Sequence, residues 1–401
     1  MYHRSFSKPK FRGFSGQRFY GKRNNSGNRG NYGTAKVHPS KYINKAVVKS
    51  ETEVQTVSHR FEDFPVDARL KQNIISKGYI TPTPIQDRTI PLILQGKDVV
   101  GIANTGTGKT AAFLIPIINK ILQNRAEKSL IIIPTRELAV QIDEEFRQLS
   151  RFMNIYSVLI IGGASSSKQI WDLKRRPNIV IGTPGRLKDM ITRRFLDLSQ
   201  YQTIVLDEVD RMLDIGFVHE IKYMISLLPA IKQSLFFSAT LSSEITGIIN
   251  SFMKTPVTVS VKTHETAENV DQDIIKVNGK EEKILKLSEL LKQEEFKKVL
   301  IFGRTKWGVE RLAVKLQSIG ITAASIHGNK SQNQRIRALN QFKQNHLQVL
   351  VATDVAARGL DIENVSHVIN FDEPATYTDY IHRIGRTGRA NKQGKALTFV
   401  G

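Results

Sequence analysis

The chain has 401 residues, too many for one ordinary core and enough for two domains preceded by a tail. Its 40% hydrophobic and 24% charged residues are those of a soluble folded protein, and 59 Lys and Arg against 37 Asp and Glu leave a net charge of +22, which draws it to a polyanion, a nucleic-acid backbone first and a membrane surface second. No apolar run approaches the roughly 18 to 20 residues of a spanning helix, the start lacks a secretory signal, and the absence of cysteine excludes disulfides and thiolate metal sites. The expectation is a cytoplasmic protein whose metals are held by oxygen or His.

Residues 1–50 carry twelve Lys and Arg and no acid, so they supply +12 of the +22. This stretch is rich in Gly, Ser and Asn with interleaved Phe6, Phe11, Phe14, Phe19, Tyr20 and Tyr32, and shows neither helix nor strand period. Residues 1–58 are therefore expected to be a disordered basic tail that clings to RNA, its cations on phosphates and its aromatics on bases. A solubilising tail or an acid-poor transit peptide is the plainer reading of the same composition.

From Phe61 onward, short β-branched runs alternate with amphipathic helical stretches. Runs at 99–103, 129–135, 156–161, 178–183, 203–208, 234–240 and 256–261 read as strands, most of them apolar on both faces. The polar stretch 262–269 reads as a linker, and strands are expected again at 273–277, 298–302, 322–326, 349–353, 367–371 and 395–400. The fold class is α/β: two domains, 59–261 and 270–401, each a mostly parallel sheet flanked by helices. Ligands of such sheets bind at the carboxyl ends of the strands, so a cleft between the domains is the expected working site.

The strongest local signal is Ala103-Asn-Thr-Gly-Thr-Gly-Lys-Thr110, between a strand and a helix, the context of a phosphate-binding loop. Gly106 and Gly108, with Thr105 and Thr107 between and before them, let backbone N–H groups turn inward around phosphate oxygens. Lys109 reaches the β- and γ-phosphates and Thr110 is placed to ligate Mg2+. At the end of another buried strand stand Asp207 and Glu208, the first suited to Mg2+, partly through water, and the second to the attacking water. An Asp-Glu pair at a strand end is by itself more often a solvated turn; the phosphate loop gives it meaning.

Asp207-Glu-Val-Asp210 resembles the tetrad that names the DEAD-box RNA helicases, with Val209 in place of Ala, and the resemblance covers almost all of 61–401. It implies two RecA-like domains, ATP and Mg2+ as cofactors, RNA as partner and a monomer. Gly78-Tyr-Ile-Thr-Pro-Thr-Pro-Ile-Gln86 is similar to the Q motif, implying adenine recognition by Gln86 with stacking by Tyr79 or Phe61. Pro134-Thr-Arg-Glu-Leu-Ala139, Gly162-Gly163 and Thr183-Pro-Gly-Arg186 are similar to the motifs that hold the RNA backbone, implying contacts from Thr135, Arg136, Gly162, Gly163, Thr183, Gly185 and Arg186 that are blind to base sequence. Ser238-Ala-Thr240 resembles the motif that bridges to the acidic tetrad, so Ser238, Thr240 and Asp210 are implied in coupling.

In the second half, Leu300-Ile-Phe-Gly-Arg-Thr305, Gln332-Asn-Gln-Arg335, Thr353-Asp-Val-Ala-Ala-Arg-Gly-Leu-Asp361 and His382-Arg-Ile-Gly-Arg-Thr-Gly-Arg389 resemble the family's later motifs. They imply arginine fingers at Arg386 and Arg389, a ribose contact at Asp361, a bridge from His382 to the tetrad, and RNA contacts from Arg304, Arg335 and Thr353. No zinc or winged-helix insertion marks a DNA-translocating relative. Val209 is expected to change packing but not chemistry. The chain stops at Gly401, directly after its last expected strand and where the family usually adds a helix, so the expectation is either that the end is clipped or that the second sheet is partly uncovered. The implied activity is ATP hydrolysis coupled to local unwinding of short RNA duplexes or remodelling of RNA–protein complexes; the rival is an ATP-latched RNA clamp or annealing chaperone.

Overall fold

Strands apolar on both faces need a cover on each side, and the chain supplies it with helices. The computed structural model describes residues 38–44, 57–104, 106–261, 270–357, 362, 365–388 and 394–401. The first sheet holds β1 (Val99–Ala103), β2 (Ser129–Ile132), β3 (Ser157–Ile160), β4 (Ile179–Gly182), β5 (Thr203–Leu206), β6 (Gln233–Ser238) and β7 (Val257–Val261), in the order β3-β4-β2-β5-β6-β1-β7. The second holds β8 (Val270–Lys276), β9 (Val299–Phe302), β10 (Ala323–Ile326), β11 (Val349–Ala352), β12 (His367–Asn370) and β13 (Gly394–Val400), in the order β10-β11-β9-β12-β13-β8. Every pairing between these strands is parallel.

Alternate residues feed opposite cores. Val99, Ile131, Ile179, Val205 and Leu235 join the cluster on one face of the first sheet, and Val100, Leu130, Val180, Ile204 and Phe236 join the other. The second sheet divides in the same way, with Val299, Ile301 and Val351 on one side and Leu300, Phe302 and Leu350 on the other. This is the two-domain, parallel-sheet α/β class expected from the alternating pattern. Among the described residues no helix is long and apolar enough to cross a membrane.

Several strands stop short of the expected ends because the next residues are drawn out of the sheet. Thr135 becomes the N-cap of helix Arg136–Leu149, and the N–H groups of Ala239 and Thr240 turn to the Asp210 carboxylate.

The expectation of a featureless tail through residue 58 needs correction at two places. Pro39–Tyr42 forms a turn of 3₁₀ helix capped by His38, and Asn44 makes an antiparallel bridge to Gln272 in β8. Tyr42 is fully buried, its ring 4.7 Å from that of Tyr380, in a cluster with Val270, Ile384, Ala396 and Val400. That cluster lies on the second sheet, where the N-terminal segment gives β8 and β13 part of their cover. Further on, the backbone N–H groups of Ser58 and His59 donate to the Asp87 carboxylate of the first domain. A single anchoring aromatic has no period, which is why composition hid it. The rest of the basic tail, the linker 262–269, Thr105, Asp361 and Arg389 lie outside the described residues.

Candidate active site

The sequence motifs follow the carboxyl ends of the strands, so sheet topology gathers them. After β1 the backbone turns through Gly106 (φ +80°) and Gly108 (φ +89°) before helix Lys109–Gln123 begins. A side chain at Gly108 would clash twice over: the conformation is left-handed, and a Cβ would stand 2.4 Å from Gln86 Nε2. Lys109 is buried and its Nζ donates to the Ala103 carbonyl at 2.6 Å, folded back over the loop, while the Thr107 hydroxyl donates to Asn104 O at 2.7 Å. Thr110 stands in the first turn of the helix.

After β5, Asp207 and Glu208 are both buried. Burial pushes the Asp207 carboxyl up to about 7, against the pull of Lys109 and with the push of Glu208. Burial would raise Glu208 too, but the guanidinium of Arg211, 3.0 Å from its Oε2, together with Arg386 and Lys109 holds it below the usual carboxylate range. Glu208 also adopts a left-handed backbone (φ 52°), an unfavourable conformation for a residue with a side chain and one that clusters at functional sites. Val209 is fully buried in the cluster with Leu206 and Met212, so its extra methyls enter the core and not the cleft.

Asp210 is tied to the loop after β6. Its Oδ2 accepts from the N–H groups of Ala239 (3.1 Å) and Thr240 (3.2 Å), and its own N–H donates to the Ser238 hydroxyl at 3.4 Å. Hydrogen bonds therefore join the acidic turn to the Ser-Ala-Thr turn.

Upstream of the loop, Phe61 is buried and stacked on Tyr79 with ring centres 5.7 Å apart, and the Tyr79 hydroxyl donates to Glu145. The Gln86 amide accepts from Thr83 N–H at 2.8 Å and donates to Gly108 O at 3.0 Å, so it grips the phosphate loop.

The residues expected to contact an RNA backbone stand in the first domain as a second group. Thr135 and Thr183 cap helices Arg136–Leu149 and Pro184–Thr192. Arg136 lies over Gly162 and Gly163, where a Cβ on Gly163 (φ +77°) would meet its Nη1 at 2.3 Å. Gly185 is exposed with open space around it, and Arg186 bonds Gln169, Ser166 and Asp189.

In the second domain, Arg304 is exposed, with its backbone N–H on Asp372, and Thr353 is buried at the carboxyl end of β11. Arg335 does not point to an open groove. Its Nη2 is 2.9 Å from Oε2 of Glu137 in the first domain, and Gln332 Nε2 donates to the other oxygen at 3.1 Å. A third bond crosses at Arg211, whose Nη2 donates to Val355 O at 3.1 Å. The two domains thus meet around a cavity of about 130 Å3 lined by Lys109, Glu208, Asp210, Arg211 and Thr240 from one and His382, Gly385 and Arg386 from the other.

Sequence reasoning assigned nothing to Glu137, Arg211 or Arg383. Arg211 had a signal, since it stands three residues after Glu208 at a helix start. Arg383 had none: it is buried, forks onto both Asp354 oxygens and also bonds Asn370 and the Asp372 carbonyl, partners far apart in the chain.

Comparison with known proteins agrees with this arrangement. The DEAD/DEAH box helicase family model matches residues 83–248 and the helicase conserved C-terminal domain matches 282–391. The chain is 45% identical over 342 residues to the DEAD-box ATP-dependent RNA helicase CshA of Geobacillus kaustophilus, covering 85% of this chain and 73% of that one. It belongs to the DEAD-box RNA helicase family. A second such helicase, CshA of Listeria monocytogenes, is 46% identical over 343 residues, 85% of this chain and 66% of its own length. Among solved structures, this DEAD-box chain resembles Mss116p bound to single-stranded RNA and AMP-PNP (TM-score 0.78, 29% identity, 89% of this chain and 77% of that one). It also resembles S. cerevisiae Dbp5 bound to RNA and ADP BeF3 (TM-score 0.74, 29% identity, 85% and 89%). Both sheets are therefore RecA-like domains.

Proposed function

We propose that this DEAD-box chain hydrolyses ATP to ADP and phosphate in the interdomain cleft and uses the cycle to separate short RNA duplexes or remodel RNA–protein complexes. The observation that carries the reading is that Lys109 and Glu208 of one domain line the same small cavity as Arg386 of the other. Lys109 and the inward N–H groups of the loop hold the phosphates. Glu208, kept ionised by Arg211, Arg386 and Lys109, orients the attacking water and receives its proton. Arg386 stabilises the charge that develops on the transferred phosphoryl group, which requires the domains to be closed. Arg389 and Asp361 would join as a second finger and a ribose contact.

Mg2+ fits the donors present, the Thr110 hydroxyl and the Asp207 carboxylate, both hard oxygen ligands; a buried carboxylate pushed up to about 7 lacks sufficient counter-charge without a cation. When bound, the ion neutralises charge on the β- and γ-phosphates. Gln86 reads the adenine edge, with Phe61 or Tyr79 as the stacking ring, and passes its occupancy to Gly108 through the bond they share.

Thr135, Arg136, Gly162, Gly163, Thr183, Gly185 and Arg186 form the RNA track of the first domain, continued by Arg304 and Thr353. Arg335 works as a latch on Glu137. RNA binding and ATP binding then support each other, because each favours the same closed arrangement.

The test is ATP hydrolysis with and without mixed-sequence single-stranded RNA, in wild type and Glu208→Gln, beside strand separation of a short duplex. RNA-stimulated turnover lost in Glu208→Gln supports the reading. Duplex separation that persists in that variant would replace it with the ATP-latched clamp.

A further inference from the structure

The amino ends of β2, β3, β4 and β5 point away from the cleft, and these strands are neighbours in the order β3-β4-β2-β5. Since the sheet is parallel, the four segments that lead into them, 124–128, 150–156, 171–178 and 193–202, gather on one face of the first domain. Those segments hold eight Lys and Arg (Arg125, Lys128, Arg151, Lys174, Arg175, Arg176, Arg193 and Arg194) against Glu127, Asp172 and Asp197. Eight less three leaves +5. Two of the acids are already engaged: Glu127 is buried on Lys120 and Thr203, and Asp197 accepts from the Ser199 N–H and hydroxyl.

Exposed aromatic rings lie among these cations. Phe152 is 84% exposed, Tyr156 60%, Trp171 59% and Phe195 39%. Three of the rings carry a guanidinium over them, Arg151 on Phe152 at 4.7 Å, Arg175 on Trp171 at 5.0 Å and Arg193 on Phe195 at 5.1 Å. Lys128, Lys174, Arg176 and Phe195 further share one cavity of about 380 Å3, so three of the four segments meet around a common hollow. Phe152 (φ 63°), Arg176 (φ 52°) and Arg194 (φ 60°) occupy left-handed conformations where glycine is the unstrained choice, which keeps a large or charged side chain at a backbone cost.

A cationic surface with flat rings open to solvent matches the chemistry of single-stranded nucleic acid: phosphates pair with Lys and Arg, and any base stacks on a ring. An acidic polypeptide would use the charge but offers no flat group to stack on the exposed rings. We propose that this face of the first domain is a second binding surface for single-stranded RNA, separate from the motif track. It would hold the unpaired flank of a substrate while the cleft works on the paired part. The inference rests on the reading of the chain as an enzyme acting on RNA.

The test uses the full chain without nucleotide. Ultraviolet cross-linking to a 30-nucleotide oligouridylate should give adducts in peptides spanning 150–156 and 171–178. The triple variant Phe152→Ser, Trp171→Ala, Arg175→Ala should lose those adducts and bind the oligomer about tenfold more weakly, the scale of losing a stacked base or two. None of the three touches the cleft, so ATP turnover at saturating RNA should stay at the wild-type level.

Absence of adducts at these peptides, or unchanged affinity in the variant while wild type retains RNA-stimulated turnover, overturns this proposal alone. Absence of any RNA binding by wild type overturns both it and the helicase reading. Polyglutamate that displaces the oligomer from wild type but not from the variant, with no adducts formed, reassigns the face to acidic polypeptides and also overturns the proposal.

Discussion

Arg335 and Glu137, 198 residues apart in the chain, form a buried ion pair of 2.9 Å across the two domains, and Gln332 completes the Glu137 carboxylate. Such a pair exists only while the domains are together. Burying the pair costs desolvation that the short contact and the Gln332 bond offset in part, whereas removing one partner strands the other charge. Burial accordingly holds the Arg335 guanidinium below its usual value, opposed by Glu137.

Glu137→Ala should therefore disfavour closure by about 3 kcal/mol, within the range for breaking a buried pair. The expected result is weaker joint binding of RNA and a non-hydrolysable ATP analogue, with ATP binding alone little changed. A double-mutant cycle with Arg335→Ala, read by fluorescence anisotropy of labelled RNA, should show strong coupling. Additive losses would mean that the two residues act separately.

Gly163 seats the Arg136 side chain. Gly163→Ala adds a Cβ 2.3 Å from Arg136 Nη1 at a left-handed φ of +77°, so the guanidinium must move and the backbone is strained by about 1 kcal/mol. RNA affinity and the RNA concentration needed for half-maximal ATPase should worsen severalfold, while basal turnover stays near wild type. Titration of the ATPase with RNA checks this; an unchanged midpoint would remove Arg136 from the RNA track.

Tyr42 anchors the N-terminal segment to the second domain. Tyr42→Ala leaves a cavity beside Tyr380 and should cost about 3 kcal/mol, typical of deleting a buried aromatic side chain. In urea melts the variant should lose stability, with Asn44 and Gln272 amides exchanging hydrogen faster. Unchanged exchange at Gln272 would show that the bridge forms without the ring.

His367 is buried against Phe296, ring centres 3.9 Å apart, and burial lowers its imidazole from 6.5 to about 4. The folded chain keeps it neutral, whereas the unfolded chain protonates it near 6.5, so acid favours unfolding. This contribution to stability is full above pH 6.5 and is lost progressively as pH falls towards 4. His367→Phe should flatten that part of a melting temperature against pH curve; an unaltered slope between pH 6.5 and 4.5 would place the titration elsewhere.

The sequence by itself determined the class of fold and the position of the motifs. Strands apolar on both faces can be buried only in a covered sheet, and the glycines of 106–108 and the acids after Leu206 follow strand ends where a parallel sheet concentrates its ligands. These signals are local, carried by neighbours in the chain. What only the tertiary structure decided is which charge meets which: Arg335 turned to Glu137, Arg383 forked on Asp354, Gln86 bonded to the phosphate loop, and Tyr42 sunk into the second sheet. Hydrogen bonds and ion pairs are fixed by separations of a few ångströms between atoms far apart in sequence. A residue's type states what it is able to bond, and the packing of the two sheets selects the partner.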